Sequence, residues 1–212
     1  MSTWALVAIN ARSRCKTRLA DYLSPGERQR LVGCMLNHVL QAIGASTTVR
    51  HIAVVSPERD ALAADVLQLP DPGAGLNHAL MAAAQRIEQL GGKELLILPA
   101  DLPLVAAADI DALHGAGRKT GFALAADESR QGTNAIFTAL PNRVPFAFGV
   151  ESYLRHRTAA AEQGLQAALV DRPGLSFDVD GYADLVVLAD SGISQYAFLK
   201  AALRKVEEKI HD

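Results

Sequence analysis

Short apolar runs alternate along most of the chain with stretches whose apolar residues recur every three or four positions. A short apolar run bounded by loops reads as a buried strand, and the three-to-four spacing reads as one face of a helix. The run Trp4-Ala5-Leu6-Val7-Ala8-Ile9 predicts a first strand that opens into a polar, basic loop. Ser24-Pro25-Gly26-Glu27 then has the form of a capping box with proline at the first helical position. Leu31, Met35, Val39 and Ile43 follow at spacing four and predict a helix of about five turns. His51–Ser56 predicts the second strand, Glu58–Asp65 a short helix, and Val66–Leu69 a third strand closed by the turn Pro70-Asp71-Pro72-Gly73. Asn77–Leu90 is a helical stretch stopped by Gly91-Gly92. Glu94-Leu95-Leu96-Ile97-Leu98 has the unbroken apolar character of a strand buried on both faces. From about 193 to 210 an amphipathic C-terminal helix ends in the charged cluster Arg204 to Lys209, a solvated face. Strands alternating with helices predict an α/β fold with a mostly parallel mixed sheet between helical layers, as a single domain over 1–212.

Composition narrows the class. The 212 residues carry 21 Lys+Arg against 23 Asp+Glu, a formal net charge of −2. That balance argues against a broad cationic surface for nucleic acid or for an anionic membrane. Cys15 and Cys34 supply neither a disulfide framework nor the four ligands of a structural zinc site. The Trp4–Ile9 run has no basic region before it and no long apolar core, so it is not a secretory signal. No stretch approaches the roughly 20 apolar residues that span a bilayer. The expectation is a soluble, cytoplasmic protein that engages neither nucleic acid nor membrane.

Candidate chemistry gathers in loops that follow strands. The loop after the first strand places Arg12, Arg14, Lys16 and Arg18 at alternate positions, where ligands bind in open α/β sheets. Lys16-Thr17 lacks the preceding glycines of a P-loop, and no G-x-G-x-x-G follows the first strand. What remains is a basic loop able to neutralise a polyphosphate, or a solvated cationic loop. Asp101, in Pro99-Ala100-Asp101-Leu102-Pro103, sits just past the end of the predicted central strand, as a metal ligand or a turn carboxylate would. Asp178 and Asp180 flank Val179, and strand alternation would turn both carboxylates to one face. Oxygen-only donors favour Mg²⁺ or Mn²⁺. Gly75-Leu76-Asn77 combines a permissive backbone with an amide suited to a base edge. Gly132-Thr133-Asn134 lies at the mouth of an apolar strand. Gly149 and Ser152 open the helix that carries His156, and a helix N-terminus with free N–H groups favours an anion.

Taken in order, Lys16-Thr17-Arg18-Leu19-Ala20, Gly75-Leu76-Asn77, Pro99-Ala100-Asp101-Leu102-Pro103-Leu104, Gly132-Thr133-Asn134, Phe148-Gly149 with Ser152 and Arg155-His156, and Asp178-Val179-Asp180 with Asp184-Leu185 resemble a known family. It is that of the guanylyltransferases of deazaflavin coenzyme F-420 biosynthesis, and the similarity runs from about residue 4 to 190. The resemblance implies a nucleotidyltransferase fold of the nucleotide-diphospho-sugar transferase kind and GMP transfer from GTP to a small phosphorylated acid, with release of pyrophosphate. It places 3-phospho-D-glycerate narrowly ahead of phosphoenolpyruvate and 2-phospho-L-lactate, and has the product pass to a downstream transferase. It further implies Mg²⁺ held by Asp101, Asp178 and Asp180, and the acid's phosphate held by Thr133, Gly149 and Ser152. Arg12, Arg14, Lys16, Arg18, Gly75 and Asn77 would bind the nucleotide, with Lys16 and Asp101 at the reacting phosphates. The phosphate monoester that attacks is already largely dianionic near neutrality, so no general base is needed. Alternatives are a molybdenum-cofactor or sugar-phosphate nucleotidyltransferase, a glycosyltransferase on a related sheet, and a non-catalytic nucleotide sensor. The C-terminal helix would either cap the domain or form a homodimer.

Overall fold

Seven strands lie in the order β3-β2-β1-β4-β6-β5-β7 in a computed structural model that describes residues 2–9, 16–57 and 62–211. The strands are β1 (Thr3–Ala8), β2 (His51–Ser56), β3 (Val66–Pro70), β4 (Glu94–Pro99), β5 (Phe122–Ala126), β6 (Thr133–Ala139) and the two-residue β7 (Ala168–Leu169). All described pairings are parallel except those of β6, which runs antiparallel to both β4 and β5.

The helices form because their apolar stripes meet the two sheet faces. Helix α1 (Pro25–Gly44) starts with the expected capping box, in which the Ser24 hydroxyl accepts from the Glu27 N–H and Glu27 accepts from the Ser24 N–H. Its Leu36, Val39 and Ile43 join Ile110 and Leu113 of α3 (Ala107–Thr120) against Ala5, Val7, Leu96 and Leu98 on one face. On the other face Ala79, Leu80, Ala83 and Ile87 of α2 (Leu76–Gln89), and Ala160 of α4 (Ser152–Glu162), cover Trp4, Leu6, Leu95 and Ile97. Strands β1 and β4 therefore carry apolar residues on both faces, which explains their unbroken sequence pattern.

A third cluster, away from the sheet, joins Leu19, Leu31, Met35, Val179, Leu185, Tyr196 and Leu199. It holds α6 (Tyr182–Asp190) and α7 (Phe198–His211) near the first half of α1, whereas Leu175 of the short α5 (Pro173–Ser176) packs in the first cluster, against the sheet. The C-terminal helix is thus shorter than expected: residues 194–196 form a separate 3₁₀ turn that buries Tyr196, and α7 begins at Phe198. The helix expected over 58–65 falls partly outside the described residues, and at 62–65 the chain forms a turn instead. Among the described residues, no helix is long and apolar enough to cross a membrane.

The register fixes where chemistry can occur. Thr3 lies opposite Glu94 and Ala8 opposite Pro99, so β1 and β4 end together. The chain moves from β1 outward to β2 and β3, then returns to the other side of β1 as β4. The crevice at their carboxyl ends is the switch point where α/β sheets bind ligands. Because β6 is antiparallel, with Ile136 opposite Ile97, it begins at that same edge.

Candidate active site

Lys16 lies at the switch point, at the end of the loop after β1. It adopts a left-handed backbone conformation (φ 55°, ψ 41°) and leads into a 3₁₀ turn, Thr17–Leu19, whose Leu19 is anchored in the third cluster. The ammonium donates to Asp101 Oδ2 at 2.6 Å and to Asp180 Oδ1 at 3.0 Å. Arg18, largely exposed, donates to Asp180 Oδ2 at 3.3 Å. Burial would lower the Lys16 pKa, but the adjacent Asp101 and Asp180 carboxylates outweigh it and hold it above the ordinary value.

The three aspartates converge. One carboxylate oxygen from each of Asp101, Asp178 and Asp180 lies within 4.8 Å of the others. Asp101 arrives on the turn after β4, while Asp178 and Asp180 come from the segment between α5 and α6. That segment is not the strand the alternation suggested, yet the alternation holds. Phe177 and Val179 turn into the third cluster, which leaves the two carboxylates on the opposite side. Asp184, at the third position of α6, accepts from the N–H groups of Asp180 (2.8 Å) and Gly181 (2.7 Å) and so fixes the backbone that presents Asp180. Burial first, then the charge of Asp101, pushes the Asp178 carboxyl up to about 6. Beside the cluster lies a cavity of about 380 Å³ lined by Ala8, Lys16, Thr17, Arg18, Leu76 and Ala100, with Asp101 and Asp180 on its wall. That volume lies within the range of small-molecule sites.

The nucleotide-side residues are only partly gathered there. Lys16 and Arg18 line the cavity, whereas Arg12 and Arg14 lie outside the described residues. Gly75 caps α2 at φ +91°, a conformation open to glycine and costly for other residues, and it delivers Leu76 to the cavity wall. Asn77 is engaged elsewhere: its Nδ2 donates to the Phe148 carbonyl (3.1 Å) and its Oδ1 accepts the Phe148 N–H (2.8 Å). The amide thus clasps a neighbouring loop and is not turned to a base edge.

Thr133, Gly149 and Ser152 come together, but around His156, and they do not line that cavity. Ser152 and Thr133 are buried, and the Ser152 hydroxyl accepts the Thr133 N–H at 2.9 Å. His156 Nε2 accepts the Ala147 N–H at 2.9 Å, so the neutral ring carries its proton on Nδ1 and donates to the Thr133 hydroxyl at 3.0 Å. Gly149, at φ +115°, accepts the Ser152 N–H through its carbonyl at 3.1 Å. Sequence reasoning identified this corner without its use for His156, because a histidine's buried partners come from distant segments.

Burial first, then the Arg155 charge, pushes the His156 pKa from 6.5 down to about 4. Between these values the unfolded chain takes up a proton that the folded chain refuses. The contribution of His156 is therefore complete above pH 6.5 and is lost as pH falls toward 4, with a limit of about 3 kcal/mol. Urea unfolding at pH 7 and pH 4.5 should show wild type losing more stability than His156→Gln. Equal losses would show that His156 takes up its proton as readily folded as unfolded.

The fold is shared with nucleotide-handling transferases. A Desulfovibrio desulfuricans G20 protein, solved as a candidate nucleotide-diphospho-sugar transferase, superposes with a TM-score of 0.81 over 97% of this chain and 99% of its own, at 16% identity. The chain belongs to the guanylyl transferase CofC-like family, whose model matches residues 3–210. The phosphoenolpyruvate guanylyltransferase of Sphaerobacter thermophilus is 39% identical over 89% of this chain and 93% of its own length. The 3-phospho-D-glycerate guanylyltransferase of Phenylobacterium zucineum is 36% identical over 87% and 88%. The protein is accordingly a nucleotidyl-transferring enzyme.

Proposed function

We propose that the enzyme transfers GMP from GTP to the phosphate of a three-carbon phosphorylated acid, 3-phospho-D-glycerate or phosphoenolpyruvate, in coenzyme F-420 biosynthesis. The observation that carries this reading is the meeting of Lys16 and Arg18 with Asp101, Asp178 and Asp180 at the switch point. Relatives named phosphoenolpyruvate guanylyltransferase, at 39% and 41% identity among others, outnumber the one named for 3-phospho-D-glycerate, at 36%, and so favour phosphoenolpyruvate.

The carboxylate cluster fits Mg²⁺ or Mn²⁺. Its donors are all oxygen, and a cation, the Lys16 ammonium, already sits between two of them. Asp101, Asp178 and Asp180 would hold the ion, which supplies positive charge where two phosphate groups must approach. Lys16 and Arg18 neutralise the triphosphate and the leaving pyrophosphate, a role the sequence also gives to Arg12 and Arg14. Gly75 and Leu76 set the nucleotide side of the crevice. Asn77 ties it to the Phe148-Gly149 loop on the acid side. Thr133 and Ser152 each spend an oxygen lone pair on the His156 corner and keep the hydroxyl proton, so both remain donors for the acid's phosphate beside Gly149. The attacking phosphate oxygen needs no proton removed, so binding and charge carry the rate.

The test is a competition among 3-phospho-D-glycerate, phosphoenolpyruvate and 2-phospho-L-lactate with GTP and Mg²⁺, with products read by mass spectrometry. One GMP-linked acid should form together with pyrophosphate. Replacing GTP with ATP should lower kcat/KM at least about tenfold, because adenine leaves donors and acceptors at the base unpaired. Equal use of ATP would refute the guanine assignment, and no product from any acid would refute the reaction.

A further inference from the structure

Asn134 has no part in the chemistry above, yet it touches the carboxylate cluster. It is the second residue of β6, whose antiparallel course brings its first residues to the edge where Asp101 leaves β4. It is buried, at 8% exposure. Its Nδ2 donates to the Ser176 carbonyl at 3.1 Å and to Asp178 Oδ1 at 3.4 Å. One amide therefore grips the chain on both sides of Phe177, whose ring is buried in the third cluster. The strand end that presents Asn134 is itself fixed, since the preceding Thr133 is bonded to Ser152 and His156.

Asp178 needs such a hold. It faces two other carboxylates, and the short bonds of Lys16 go to Asp101 and Asp180. Like charges would turn a free Asp178 side chain away from the cluster. Carboxylates that bind metal are commonly held in place by hydrogen bonds from residues behind them.

We propose that Asn134 is a positioning residue, which aims the Asp178 carboxylate into the cation site formed with Asp101 and Asp180. The proposal rests on the metal reading given above. The test is titration of the nucleotide-free protein with Mn²⁺, in which the resonance of the free ion reports binding without any turnover. Asn134→Ala should weaken Mn²⁺ binding about tenfold, the scale for removing such a supporting bond. Asn134→Leu, which keeps the buried volume, should do the same. In an Asp178→Ala background the Asn134→Ala change should add less than about twofold, because the group it aims is gone.

Affinity within about twofold of wild type in both single variants would overturn the proposal, whatever the melting temperature does. So would an equal loss in the Asp178→Ala background, or failure of both variants to fold, since each assigns Asn134 to the fold as a whole. Wild-type protein that does not saturate with Mn²⁺ would overturn the metal reading and this proposal with it. That outcome is distinct from a wild type that binds beside variants that bind equally well.

Discussion

Asp101→Asn is expected to lower turnover at least about a hundredfold while the protein keeps its fold. The substitution preserves shape and removes one negative charge from a cluster whose oxygens lie within 4.8 Å of one another. It also replaces the carboxylate that Lys16 meets at 2.6 Å with a neutral amide. Loss of a fixed electrostatic stabiliser costs rates of about a hundredfold to a thousandfold. The backbone around Asp101 is determined by the end of β4 and by the buried Leu102 and Val105, none of which the change touches. Steady-state rates at saturating Mg²⁺, with a melting curve as control, decide the matter. Turnover within threefold of wild type would remove Asp101 from the reaction.

Lys16→Met should lower turnover by a similar factor, for a different reason. Methionine retains the apolar stem and deletes the charge that faces two carboxylates and the cavity. Without Mg²⁺ the variant should also be less stable by roughly 1–2 kcal/mol, because Asp101 and Asp180 would face each other unneutralised. The figure is below the 3–5 kcal/mol of a wholly buried pair since both carboxylates are partly exposed. Added Mg²⁺ should restore that stability without restoring turnover. Recovery of both on adding Mg²⁺ would show that Lys16 only balances charge, and recovery of neither would show that it supports the fold.

The sequence disclosed the elements near the site better than the site's internal contacts. β1, α1, β2, β3, α2 and β4 were legible because each has an apolar pattern of one period and a clear stop, such as the Ser24 capping box or Gly91. The carboxylates were legible because Asp101 follows a buried strand and Asp178 and Asp180 flank a buried valine. What could not be read was pairing between distant segments. Asn77 appeared suited to a base edge, but the polar groups of Phe148, 71 residues away in sequence, claim both ends of its amide. Thr133 and Ser152 were expected to serve an anion, whereas their commitment to His156 depends on how β6 meets α4. Asp178 and Asp180 were expected in a strand, but among the described residues no strand pairs with them, and the third cluster maintains their alternation together with bonds from Asn134 and to Asp184.

The span of the Lys16–Asp180 contact bears on how the enzyme is made. The two partners are separated by 164 positions, and Lys16 and Asp101 by 85. A chain emerging from the ribosome can complete β1, α1 and β2 early, yet Lys16 then has neither of its carboxylate partners, and it gains Asp101 only after β4. The full constellation exists only after α6 closes behind Asp180. Contacts so far apart are slow to form, because the intervening chain must be ordered first. The charged cluster is therefore completed last in biosynthesis, and a truncated product that lacks the final third would carry Lys16 and Arg18 without Asp178 and Asp180.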